Sequence, residues 1–149
     1  MPWDTIFSLA NGLAFIAWIA LILLSRAELL YSVLREGVIG LLCLLYAGAL
    51  ILVMFVLPFA GGGADFATID GVRAIFATDG GVVIGWVHYL AFDLFVGLWV
   101  ARRADEIGLS RIVQAPILVA TFMLGPLGLL IFLIVRRIHM ARTGYTAAA

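Results

Sequence analysis

Four apolar runs, each close to the length that crosses a bilayer, constrain this chain more than any motif in it. They cover about Thr5–Leu24, Val38–Leu57, Val82–Ala101 and Ile112–Val135. About 20 apolar residues in a helix span the ~30 Å of hydrocarbon. A helix satisfies its own backbone hydrogen bonds in lipid, and the ~10-residue alternation of membrane β-strands is absent. With 65% hydrophobic and only 12% charged residues, a soluble domain of 149 residues could not cover its own surface. The sequence therefore predicts an all-α integral membrane bundle of four transmembrane helices, with residues 1–149 forming one transmembrane domain.

The connections carry their own signals. In SRAELLYSVLREG, Arg26, Glu28, Arg35 and Glu36 flank Leu29, Leu30, Val33 and Leu34 at helical spacing, which predicts a short interfacial helix. LPFAGGGAD, with Pro58 and three glycines, is a helix stop. FATIDGVRAIFATDGG then predicts a second short interfacial helix ending at Gly80–Gly81. The third connection, RRADEIGLSR, is short and charged, so its flanking spans should be antiparallel neighbours. Four spans put both termini on one side with Arg73, Arg136, Arg137 and Arg142. Arg26, Arg35, Arg102, Arg103 and Arg111 then lie opposite, too even a split for the positive-inside rule to orient the chain. MPWDTIF lacks the basic start of a cleaved signal, so the first helix should be retained, with Asp4 or Thr5 as its cap.

Several function classes fall away. The net charge of zero does not point to nucleic acid. The single cysteine, Cys43, excludes a dithiol centre. His88 is the sole histidine within a span, since His139 lies beyond the fourth, so a bis-histidine haem site within one chain is not expected. There is no HExxH, no carboxylate cluster at metal-ligand spacing and no phosphate-cradling glycine loop, so neither metal nor cofactor is expected.

The unusual stretch is GWVHYLAFDLFVGLW in the third span. An aspartate near a helix centre in hydrocarbon costs about 2.5–3.5 kcal/mol on insertion scales, so Asp93 must be neutral, paired or turned to a wet cavity. Trp86, Tyr89, Asp93 and Gly97 fall on one helical stripe, and His88, Phe92, Phe95 and Trp99 on a neighbouring one. His88 and Asp93 are five residues apart and point about 140° away from each other. They border one pocket only with a ligand or another helix between them. In the fourth span Pro126 breaks a hydrogen bond and predicts a kink. Gly125 and Gly128 beside it allow close approach of a helix or a flat ligand. Thr121 can return its hydroxyl to the backbone, and Asn11 in the first span needs a partner on another helix.

The runs WVHYLAFDLFVGLWVARRADEIGLSR and PILVATFMLGPLGLLIFLIVR, covering Trp86–Arg136, resemble the ABA4-like family. The paired motifs are W-V-H-x-x-x-x-D-L-F-x-G and P-x-L-x-x-T-F-x-x-G-P-x-G-L-L; the first half is similar mainly in hydropathy and span count. Plant members are associated with making neoxanthin from violaxanthin, so the resemblance implies a carotenoid or related isoprenoid ligand. Opening a 5,6-epoxide to an allenic alcohol is a non-redox isomerisation: an acid protonates the epoxide oxygen and a base removes a vinylic proton. The chemistry, rather than the resemblance, suggests Asp93 as acid and His88 as base, with Trp86, Tyr89, Phe92, Thr121, Gly125 and Pro126 lining the substrate. The chain lacks the long leader of a plastid protein, which points to a bacterial inner (cytoplasmic) membrane. Four short helices leave little room to enclose a carotenoid, so a homodimer, partner carotenoid enzymes or surrounding membrane lipid would complete the site. The alternative is a pigment-binding or scaffold protein without chemistry. A small transporter subunit ranks third, because the polar residues concentrate on one span.

Overall fold

The computed structural model describes residues 3–55 and 65–144. It is helical, with no strand among the described residues. Three helices are long and apolar enough to cross a membrane: α1 (Trp3–Leu23), α2 (Glu28–Phe55) and α4 (Asp79–Glu106). Between the last two lies the short helix α3 (Ile69–Ile75), in the segment where the sequence predicts one, but it ends at Ile75, and Gly80–Gly81, predicted as its end, fall in the first turn of α4. Thr68 caps α3, its hydroxyl accepting from the Gly71 amide at 3.0 Å. The stop at Leu57–Gly63 lies outside the described residues.

The helix expected in the first connection is not a separate element. It forms the first turns of α2, which continues through a wide π-helical turn at Val33–Ile39. Nothing in LLYSVL stops a helix, and the wider turn turns both Leu34 and Ile39 into the core.

Helix α4 is the central column. Small residues of α1, Ala10, Ala14 and Ala17, are buried near it, and the Trp18 indole lies where a Cβ on Gly97 would be. Close helix approach through small residues is how membrane helices gain packing contacts when water drives nothing. Leu42, Ala49 and Val53 of α2 are buried beside it on another side.

The fourth expected span, 112–135, departs from its prediction. It is two helices, α5 (Arg111–Leu124) and α6 (Pro126–Thr143), folded back on each other. Gly125, at φ +36°, makes the turn, in a region of backbone that glycine tolerates and side chains rarely do. Pro126 is the first residue of α6, where its missing amide hydrogen does not matter. Gly128 is pressed on the Thr121 backbone, so that any Cβ there would overlap the Thr121 nitrogen. Further down, the rings of Phe132 and Trp99 meet edge to face at 5.7 Å, and His139 Nε2 is 3.1 Å from the Ile107 carbonyl oxygen. Two full turns of straight helix would separate residues 121 and 128 by about 10 Å. The segment is therefore a re-entrant hairpin, and its first leg, about 21 Å long, is too short to cross.

The hairpin moves the C-terminal leg to the other end of the bundle. Trp3 packs by Gly80 at the start of α4, whereas His139 lies at its finish. Thus Arg26, Arg35, Arg102, Arg103, Arg111, Arg136, Arg137 and Arg142 gather at one end, and Arg73 alone lies at the other. The even split expected from four spans is replaced by a strong asymmetry.

At the arginine-rich end, a polar cluster ties α1, α2, α4 and α5 together. The Arg26 side chain is 2% exposed and bonds Asp105 at 3.1 Å and Gln114. Gln114 donates to Asp105 at 2.9 Å, as does the Tyr31 hydroxyl at 3.0 Å. Each buried polar group has a partner, the condition for such a cluster to be tolerated in a core.

Candidate functional site

His88 and Asp93 of α4 have opposite surroundings. On one face the stripe runs as expected from the sequence. The Trp86 indole donates to Asn11 Oδ1 of α1 at 3.0 Å, and Asn11 donates to the Phe7 carbonyl. Tyr89 donates to the Met123 carbonyl at 3.2 Å, at the end of the first hairpin leg. Asp93, 9% exposed, lies against the hairpin turn: a Cβ built on Gly125 would be 2.6 Å from its Oδ1. Asp93 Oδ2 is buried and has no hydrogen-bond partner among the described residues. Gly125 is followed directly by the start of α6, the positive end of a helix dipole. Thr121 is wholly buried in the first leg and bonds back to the Ile117 carbonyl at 2.8 Å.

On the other face His88 is exposed, stacked on Phe92 with ring centroids 4.5 Å apart and tilted against Tyr46 at 5.7 Å. It stands in the wall of an apolar groove of about 480 Å³ between α2, α3 and α4, lined also by Tyr46, Leu50, Phe66, Phe76 and Gly85. Gly85 gives the Phe76 ring its place, since a Cβ there would overlap it. Among the described residues, His88 and Tyr46 are the ionisable side chains of this groove.

Of the expected site residues, the structure brings Tyr89, Asp93 and Gly125 together at the hairpin tip, with Trp86 one turn away. Pro126 is exposed where the second leg begins. Phe92 stands with His88 on the other face, and the groove that His88 lines does not include Asp93. Tyr46 was not among the sequence candidates, because one tyrosine in an apolar run carries no signal until the fold sets it beside a histidine. Arg26 and Gln114 were missed as a pair for the same reason, although a glutamine inside an apolar run calls for a partner.

Among the described residues no group of His, Cys, Asp or Glu has metal-binding geometry. No curated protein and no solved structure matches the chain. The model of the ABA4-like family, described as ABA DEFICIENT 4-like, matches residues 5–132. That match takes in α1 and α2 as well as the motifs of α4 and the hairpin turn, so the likeness is broader than the second half alone. The chain belongs to the ABA4-like family of membrane proteins.

Proposed function

We propose that this protein takes the end group of a carotenoid or related isoprenoid from the bilayer into the groove beside His88, and that it acts there as an epoxide-to-allene isomerase. One observation carries the reading: an imidazole and a phenol share the wall of an otherwise apolar groove. A groove of about 480 Å³ suits a cyclic end group rather than a whole carotenoid; the polyene would trail along the exposed rings of Phe92 and Phe95.

Tyr46 gives its proton to the epoxide oxygen as the C–O bond breaks, and His88 takes the vinylic proton as the allene forms. The proton then returns from His88 to Tyr46. Substrate and product are isomers, so no electrons enter or leave. Asp93, sealed under the hairpin, holds the helix that carries His88 instead of touching the ligand.

A second reading, pigment holding without chemistry, draws on the same groove and is favoured by the separation of His88 from the one membrane-embedded carboxyl. Expression in a host that makes 5,6-epoxy-carotenoids, followed by pigment chromatography, distinguishes them. The isomerase reading expects a new allenic pigment that disappears in His88→Gln and Tyr46→Phe. Pigment holding expects an unchanged profile and a coloured purified protein. An unchanged profile with a colourless protein would remove both.

A further inference from the structure

The arginines of this protein divide into two kinds. Those up to the end of α4 are paired: Arg26 with Asp105, Arg35 with Glu36, Arg73 with Asp70, Arg102 with Glu28 and Glu106, and Arg103 with Glu106. After Glu106 the sequence has no acidic side chain, yet four arginines follow. Arg111 donates to the Leu24 carbonyl at 2.9 Å. Arg136, Arg137 and Arg142 have no carboxylate partner among the described residues. The buried Nε of Arg136 donates to nothing there either.

Arg136 and Arg137 also share a concavity of about 540 Å³ with Leu133, Ile134 and Met140 on α6. Charge and grease are thus set side by side: two adjacent guanidinium groups, and beside them an apolar wall continuing up the leg toward the bilayer centre. A guanidinium with free donors matches a phosphate diester, and exposed aliphatic side chains on the same helix match an acyl chain. Free inorganic phosphate would use the first feature and not the second.

We infer that Arg136 and Arg137 hold the phosphate of an anionic phospholipid whose acyl chain lies along Leu133 and Ile134. The lipid would supply the negative charge that the chain itself omits after Glu106, and would fasten the free leg of the hairpin to one leaflet. Nothing in this site depends on the His88 groove.

The test uses the full-length protein, delipidated in detergent and titrated with short-chain phosphatidylglycerol, phosphatidylcholine or inorganic phosphate, with bound species counted by native mass spectrometry. Phosphatidylglycerol is expected to bind more tightly than phosphatidylcholine by about tenfold or more, at roughly one basic side chain's electrostatic attraction each for the two arginines. Arg136→Gln/Arg137→Gln should abolish the preference, and Arg73→Gln at the opposite end should keep it. Equal binding of the two lipids by the native protein would overturn the inference without any variant being needed. So would an unaltered preference in the double variant, or displacement of the lipid by millimolar phosphate, which would make the site one for the free anion.

Discussion

The two faces of α4 have been solved in opposite ways. Toward the hairpin, Tyr89 and Asp93 meet backbone: one donates to the last turn of α5 and the other lies under the glycine that begins the return. Toward α2 and α3, His88 meets the rings of Tyr46 and Phe92 and an open groove. A helix end at membrane depth exposes unpaired backbone groups, which lipid does not satisfy. The first face therefore uses its polar side chains to close a turn. On the second face His88 lines an open groove instead. The same helix holds a buried carboxyl and an exposed imidazole five residues apart, facing opposite surroundings.

The largest test asks whether the closed face is made by a hairpin at all. Single cysteines at Thr5 and Thr143, in a Cys43→Ser background, are expected to react with an impermeant maleimide from opposite sides of the membrane. The positive-inside rule puts the arginine-rich end, with Thr143, on the cytoplasmic side, so Thr143→Cys should label only after permeabilisation. Labelling of both from one side would mean that 112–135 crosses, and the contrast between the faces would fall.

Next in size is the pair Gly128 and Gly85, each of which leaves room for a neighbour on its own face. At Gly128 the neighbour is the Thr121 backbone, which cannot step aside. Gly128→Ala should lower stability by about 3 kcal/mol, at the upper end of overpacking effects. At Gly85 the neighbour is the Phe76 ring, half exposed and able to swing into the groove. Gly85→Ala should change stability by no more than about 1 kcal/mol, its better helix propensity offsetting the displaced ring, while narrowing the groove and weakening ligand binding. Equal melting shifts for the two in detergent would show that the closed face is no tighter than the open one.

The stripe arithmetic of α4 was readable from sequence: Trp86, Tyr89, Asp93 and Gly97 do turn together toward α1 and the hairpin. So was the helical class, and so was a short helix in the second connection, though neither its Thr68 cap nor its end at Ile75 was. The fold-back was not. Hydropathy counts apolar residues without regard to direction, and the largely apolar run 112–135 reads the same whether it crosses once or goes in and returns. Gly125–Pro126 marks a break in either case; only the contact of Gly128 with Thr121, seven residues apart, tells a reversal from a kink. That single ambiguity propagated. It set both termini on one side, spread the arginines evenly, and hid the hairpin tip that lies against Asp93. The pairing of His88 with Tyr46 was hidden differently, since the two come from different helices and neither position announces the other.

A smaller effect separates Asp93 from His88 directly. If each serves its own face, their substitutions should be independent. Asp93→Ala is expected to lower stability by about 1–2 kcal/mol through loss of the carboxyl from the positive end of α6, with ligand affinity nearly unchanged. His88→Gln should do the reverse. In the double variant both effects should add, with a coupling under about 0.5 kcal/mol. A larger coupling in either measurement would mean that the two side chains act on one ligand after all.

The smallest expected effect lies at the rim of the open face, where α3 holds Phe76 in place. Asp65 precedes α3 and accepts from the amides of Thr68 and Ala67, each at 2.8 Å. These bonds, the Thr68 amide first, hold its carboxyl below the usual value. A folded-state pKa below the unfolded value of about 3.9 means that the contribution of Asp65 is present above that pH and is lost as the pH falls through the folded value. Acidification below about pH 4 should therefore loosen α3 and the groove it borders before it disturbs the hairpin face, which has no carboxyl–amide cap of this kind exposed to water. Proteolysis between α3 and α4, followed against pH, would report the loosening as a small rise in cleavage at acid pH. Asp65→Asn should flatten that rise, because its amide oxygen accepts the same two bonds at every pH. An unchanged acid response in Asp65→Asn would assign the pH sensitivity of the open face to another carboxyl, with Asp70 and Asp79 in the same segment the next to substitute.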